Sequence, residues 1–187
     1  MNQTILQEKI YGGTVESRLA FALLLLRNFG HSLAGLTDAC SVLARMRTQE
    51  STLAAFMKAL LLGRVCSSCA STNGGGCCSS YMAGETDSLQ ILINLMAGVN
   101  VIPVNHNPAE CCYLDTAAGC IFTFKPMFCL NYNCQSIKGQ LKRAGEQQLE
   151  KLTAMLLGSQ YELEMLLFRF LNTDESCQKI FLLAAES

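Results

Sequence analysis

Nine of the eleven cysteines in this 187-residue chain lie between positions 66 and 134, together with one of its two histidines. Thiolate and imidazole groups are the usual ligands of four-coordinate zinc. The stretch RVCSSCASTNGGGCCSSY, residues 64–81, holds four of these cysteines among glycine and small polar residues. Such a loop cannot build a core of its own, and a bound metal ion supplies folding free energy in its place. We therefore expect one structural zinc ion in this region.

The spacing of the cysteines ranks the candidate ligands. Cys66 and Cys69 form a Cys-x2-Cys pair, which presents two sulfurs from one turn of chain to one ion. The sequence has no second pair of this kind. Adjacent cysteines in an extended segment point to opposite faces, so only one of each adjacent pair is expected to bind. The other two ligands are expected from among Cys77, Cys78 and His106, or from the competing pair Cys129 and Cys134.

The remaining cysteines fit structural positions better than ligand positions. Cys111, Cys112 and Cys120 fall in candidate strands, where alternation of side chains buries some of them. Cys40 and Cys177 fall on the apolar faces of predicted helices, and both are expected to be core thiols.

Alternatives to zinc follow from the same residues. The thiols are buried without a metal, or they hold an iron–sulfur cluster or haem, sense oxidation, or form disulfides. No Lys or Arg lies between Arg64 and Lys125. Because thiolates need nearby cations or a metal, this charge pattern disfavours a catalytic cysteine.

Nothing in the sequence singles out an active site. The chain lacks His-Glu-x-x-His and G-x-S-x-G motifs, and TNGGG has no lysine to contact a phosphate. A zinc-dependent hydrolase would need a general base beside an open metal position. The carboxylates of the middle region give no reason to choose among Glu85, Asp87, Glu110 and Asp115. We assign no catalytic residue, and an enzyme is the less favoured class.

Charge and hydropathy limit the partners and the compartment. A net charge of −1 with a pI near 6.1 argues against electrostatic binding of nucleic acid. The longest apolar run, Leu19 to Leu26, is too short to span a bilayer. Acidic residues before it and Arg27 after it do not fit a signal peptide. We expect an intracellular protein, cytoplasmic or nuclear, and the odd number of cysteines agrees with a reducing compartment.

The predicted fold class is α+β and predominantly helical, in a single domain of residues 1–187. A helical block (1–65) and a second helical block (135–187) flank an irregular cysteine-rich, metal-binding middle (66–134) with a short β-hairpin closing at residues 116–119. In the first block we expect helices over 14–30, with Thr14 as N-cap, over 32–47 and over 50–63. Another helix is expected to begin near Asp87, and VNVIPV is a candidate strand. In the last block one helix is expected to end at Gly158, and Ser159 with Glu162 is expected to cap the next.

The C-terminal helices carry more apolar residues than one narrow seam requires. They fill the core or form an interface with a protein partner or a second copy of the chain. No small-molecule substrate is indicated. The sequence favours a zinc-stabilised regulatory or adaptor protein, a class that includes small virus-encoded proteins.

Overall fold

A computed structural model describes residues 3–62, 65, 77–115, 118–131, 135–174 and 177 of the chain. The expected mostly helical α+β composition with a short antiparallel hairpin is confirmed. Three of the predicted ligands, Cys66, Cys69 and Cys134, lie outside the described residues. The described helices are α1 (Gln3–Tyr11), α2 (Val15–Ala34), α3 (Thr37–Ala59), α4 (Ser80–Gly84), α5 (Ser88–Met96), α6 (Met127–Asn131), α7 (Gln135–Lys138) and α8 (Arg143–Thr173), and the strands are β1 (Leu114–Asp115) and β2 (Gly119–Cys120).

Helix α2 begins where it was predicted to begin, but it ends later in the sequence than predicted. The Thr14 side chain accepts a hydrogen bond from the Ser17 N–H at 3.3 Å, which confirms Thr14 as the N-cap. The expected end at Gly30 is wrong, because the helix continues to Ala34. Phe29 and Leu33 are buried on either side of the glycine. Burial of two large apolar side chains outweighs the cost of about 1 kcal/mol that glycine adds inside a helix.

The two helices predicted over 32–47 and 50–63 are replaced by one continuous helix, α3, which begins at Thr37 and ends at Ala59, while residues 32–34 belong to α2. Its buried face includes Ala39, Leu43 and Met46, as the periodicity indicates. Cys40 does not belong to this face: its side chain is exposed, and its thiol donates to the Ala34 carbonyl at 3.2 Å. The prediction of a core thiol at this position is therefore wrong.

The longest helix, α8, runs through Gly158 without a break. The predicted helix end at Gly158 and the capping box at Ser159 and Glu162 are wrong. Ser159 is buried and accepts a hydrogen bond from Arg45 Nε at 3.1 Å, and Glu162 forms an ion pair with the same arginine. Both side chains therefore hold α8 against α3.

The core lies where α2, α3 and α8 meet around the short helix α5. Leu89, Ile91, Leu92 and Ile93 make α5 almost entirely buried. Its N-cap is Asp87, whose carboxylate accepts from the Gln90 N–H at 2.8 Å. Cys177 is buried, as predicted.

The middle of the chain is less regular than the helical parts. In the hairpin Leu114 pairs with Cys120 and Asp115 pairs with Gly119, whose φ of +92° is one that glycine adopts without strain. The candidate strand VNVIPV forms no ladder among the described residues, although Val104 N–H donates to the Cys112 carbonyl at 2.8 Å.

Among the described residues, no helix on its own combines the length and the hydropathy that a membrane span requires. Only α2 and α3 taken together reach the required length and hydropathy, and the chain bends by 101° between them.

Candidate functional site

Five cysteine side chains from separate parts of the middle region lie near one another. Cys78 interacts electrostatically with each of the other four. Every one of the eight described cysteines is a free thiol. We call this group the thiol cluster, and its members are Cys77, Cys78, Cys111, Cys120 and Cys129.

A short antiparallel contact brings residues 77–80 against residues 109–111. The Cys111 N–H donates to the Cys78 carbonyl at 3.0 Å, and the Ser80 N–H donates to the Ala109 carbonyl at 3.2 Å. Between these two bonds, Ser79 and Glu110 form an isolated β-bridge. These backbone bonds fix the position of Cys78 relative to Cys111, which lies 33 residues later in the sequence.

The hairpin adds Cys120 to the cluster. The Leu114 N–H donates to the Cys111 carbonyl at 3.0 Å, so the chain turns between these residues and enters β1. Leu114 then pairs with Cys120 of β2. Because this turn is tight and the hairpin is short, Cys111 and Cys120 lie at the same end of the hairpin, where their thiols interact.

A buried polar network holds the segment that leads to Cys129 in α6. The Asn94 amide donates to the Phe124 carbonyl at 2.8 Å and accepts from the Phe124 N–H at 3.0 Å. Gln90 donates to the same carbonyl at 2.7 Å. From α8, the Gln160 amide donates to the Lys125 carbonyl at 3.1 Å. Backbone groups that lack a regular ladder are thus satisfied by side chains of α5 and α8.

Burial raises the pKa of Cys78, Cys111, Cys120 and Cys129, which favours the neutral form of these four thiols. Burial, together with the neighbouring thiols, of which Cys77 acts most strongly, raises the pKa of Cys78 to about 12. Cys129 is exposed as a whole residue, but partial desolvation of its thiol, followed by the nearby Cys120, raises its pKa to about 12, against a smaller opposing effect of Lys125. Thiolates in this cluster therefore need a positive charge that the described side chains supply only through Lys125.

Cys112 lies beside the cluster and is half-buried against the core. Burial, with the neighbouring Cys111 second, raises its pKa to about 11. The interactions of Cys78 include Cys111 and not Cys112, whereas both cysteines of the other adjacent pair, Cys77 and Cys78, belong to the cluster.

His106 lies in an exposed loop and is not a member of the thiol cluster. The loop is held by the Glu110 carboxylate, which accepts from the Asn105 amide at 2.6 Å and from the Asn107 amide at 2.9 Å. Of the predicted ligands, the structure therefore brings Cys77, Cys78 and Cys129 near one another. Cys112 and His106 lie outside this group.

Tyr113 follows Cys111 and Cys112 in the chain and interacts electrostatically with both. Its side chain is fully buried, and its ring packs on Phe122 with a centroid distance of 4.6 Å. Burial raises its pKa, and the adjacent Cys112 raises it further. Among the described residues its hydroxyl has no hydrogen-bond partner.

Thiols grouped in this way are suited to bind a soft metal ion. Within the described ranges, no three His, Cys, Asp or Glu side chains are already placed to coordinate one ion. A four-sulfur site here would combine thiols of the cluster with cysteines outside those ranges.

The sequence pattern places Cys111 and Cys120 only in candidate strands, and the network around Asn94 was not predicted. A signal for the network was present: Gln90 and Asn94 are four residues apart in an otherwise apolar helix, so both face the same buried surface.

Comparisons of the chain with protein-family models, curated proteins and solved structures find no significant match.

Proposed function

We propose that this chain is an intracellular regulatory or adaptor protein that binds other proteins and whose fold is stabilised by one zinc ion. The observation that carries the proposal is the thiol cluster. Thiols from residues 77–78, 111–120 and 129 lie near enough to interact, although the segments that carry them have little regular structure of their own.

The ligand set that we propose combines Cys66 and Cys69 with two thiols of the cluster. Cys78 and Cys129 are favoured for the second pair, because both interact with three or more other thiols of the cluster. His106 is a weaker candidate than the spacing suggested, since it is not among the groups that interact with Cys78. A zinc ion would supply the positive charge that clustered thiolates need.

The binding role is supported by the outward face of α8. Tyr161 and Met165 on this helix are 65% and 41% exposed. Helix faces turned to solvent ordinarily carry charged residues, so exposed large apolar side chains favour a partner surface. In this proposal the zinc ion performs no chemistry and acts on stability alone.

Metal analysis of the purified protein tests the zinc proposal. We expect about one zinc ion per chain. At a free zinc concentration of about 1,000 times Kd, a bound ion stabilises the folded chain by about 4 kcal/mol. For a chain of this size a strong chelator should then lower Tm by about 8–16 °C.

Matched substitutions place the ion within the chain. Cys78→Ser and Cys129→Ser should reduce the zinc content and lower Tm, whereas Cys40→Ser should change neither, because Cys40 is an exposed thiol of α3 outside the cluster. A purified protein that contains no metal, and whose Tm does not change when a chelator is added, would refute the zinc proposal and favour a thiol-rich core.

The rival functions, an iron–sulfur or haem protein and a thiol redox sensor, predict other outcomes. Iron–sulfur and haem centres absorb visible light, and zinc does not. Redox-sensing cysteines are exposed with a lowered pKa, whereas burial raises the pKa of Cys78. Rapid oxidation of the cluster by dilute peroxide would therefore count against the zinc proposal.

A further inference from the structure

The solvent-facing side of α8 carries an unbroken line of uncharged residues. Spacings of four, three and four place Ala154, Gly158, Tyr161 and Met165 on one face of the helix, and all four are exposed. We call these residues the outer stripe. Glu150 precedes the stripe and Arg169 follows it, and both are also exposed. The two N-terminal residues of the stripe are small, and the two C-terminal residues have large side chains.

We propose that two copies of this chain associate through the outer stripe, with their α8 helices antiparallel about a twofold axis between Gly158 and Tyr161. This inference deepens the proposed binding role of α8 and rests on it, because it names the partner as a second copy. In a twofold interface each contact occurs twice, with the two partners exchanged.

Size complementarity supports the antiparallel arrangement. The twofold axis places Ala154 opposite Met165 of the second copy and Gly158 opposite Tyr161 of the second copy. Each large side chain therefore meets a small one, which lets two helices approach closely. A parallel pairing would place Tyr161 against Tyr161 and Gly158 against Gly158, which leaves a clash at one level and a gap at the other.

Charge complementarity points to the same arrangement. The antiparallel pair brings Glu150 opposite Arg169 of the second copy at both ends of the stripe. Neither residue has an ion-pair partner among the described parts of the chain, where the ion pairs are Arg45–Glu162 and Lys138–Glu146. A parallel pairing would instead place each of these charges against its own copy, which is repulsive at both ends.

A groove beside the stripe receives the larger side chains. A cavity of about 510 Å³ lies next to α8, and it is lined by Asn131, Lys138, Glu150, Ala154 and Leu157. In the antiparallel pair Met165 of the second copy faces Ala154 and lies at the mouth of this cavity. The flexible, polarisable side chain of methionine adapts readily to such irregular space.

Charge reversal with sedimentation equilibrium of the full chain tests the pairing. We expect a concentration-dependent dimer. Glu150→Arg and Arg169→Glu should each weaken it about tenfold, because each variant places like charges together at both ends. The double variant should restore the original affinity. Leu23→Arg, which alters an exposed apolar residue of α2, should leave the dimer unchanged.

Gly158→Leu supplies an independent test that separates association from folding. A Cβ atom added at this position has open space around it, with no neighbouring atom within 4 Å, and leucine favours a helix more than glycine does. The variant should therefore melt no lower than the original chain as a monomer and yet dimerise about tenfold more weakly or worse.

Three results would overturn the pairing: a monomer at every concentration, a dimer that neither single charge reversal weakens, or single reversals that the double variant does not rescue. The zinc content of the same samples distinguishes the two proposals. A monomer that holds one zinc ion per chain would end the self-association proposal without touching the metal centre.

Discussion

Replacing Asn94 with alanine tests how the segment before Cys129 is attached to the helical core. Asn94 is fully buried in α5, and its amide both donates to the Phe124 carbonyl and accepts from the Phe124 N–H. Alanine can do neither. The carbonyl keeps a second donor, Gln90 Nε2 at 2.7 Å, but within the described structure the N–H keeps no acceptor.

The two halves of this loss differ in size. A buried N–H without an acceptor costs about 1–3 kcal/mol, and losing one of two bonds to the carbonyl costs about 1 kcal/mol. Asn94→Ala should therefore lower the free energy of unfolding by about 2–4 kcal/mol. Gln90→Ala also removes two hydrogen bonds, but the Phe124 carbonyl keeps Asn94 and the Gln160 amide keeps the Lys125 carbonyl. Its expected cost is about 1–2 kcal/mol.

Urea unfolding followed by circular dichroism measures both variants, with equal m-values as the sign that the compared states are the same. The rate at which a thiol reagent modifies Cys129 in the folded chain supplies a local readout, and it should rise in Asn94→Ala because the segment that leads to α6 loses its attachment. If Asn94→Ala costs no more than Gln90→Ala, the argument from the unpaired N–H is refuted.

Two further substitutions test buried polar groups elsewhere. Tyr113→Phe removes a hydroxyl that has no partner among the described residues, so Tm should stay the same or rise by an amount equivalent to about 1 kcal/mol; a clear drop would mean that the hydroxyl is hydrogen-bonded to a part of the chain not described here. Burial raises the pKa of Asp87 above its unfolded value, so the stability that this group contributes is present at pH below the unfolded pKa and is lost as the pH rises through the folded one. Asp87→Asn keeps an N-cap side chain and should be at least as stable as the original chain at pH 7, and this advantage should shrink toward pH 4. Asp87→Ala should cost about 1 kcal/mol of stability relative to Asp87→Asn at both pH values. Thermal melts at the two pH values measure these differences, and a difference between the original chain and Asp87→Asn that does not change with pH would contradict the raised pKa.

The helix ends show which local signals decide structure. Thr14 and Asp87 each cap a helix as their side-chain chemistry predicts, because a capping bond involves residues only three positions apart. Gly30 and Gly158 do not end their helices, although glycine at these positions lowers helix propensity. Burial of residues on both sides of each glycine supplies more free energy than the local preference removes.

Ser159 and Glu162 make the same point about side-chain motifs. Their spacing matches a capping box, but both side chains interact with Arg45 of α3. A capping motif offers hydrogen bonds that the helix needs only where its chain ends. Once tertiary packing continues the helix, the same side chains are available to a neighbouring element.

From the sequence alone one can obtain the mostly helical composition, the cap at Thr14, the helix that begins near Asp87, the hairpin near residues 114–120 and the region where the cysteines concentrate, because each depends on composition or on residues close in the chain. Only the tertiary structure brings Cys78, Cys111, Cys120 and Cys129 near one another and leaves Cys40 and His106 outside the thiol cluster. That choice depends on contacts between distant segments, made by backbone bonds at Cys78 and by the Asn94 side chain, and no spacing along the chain encodes them.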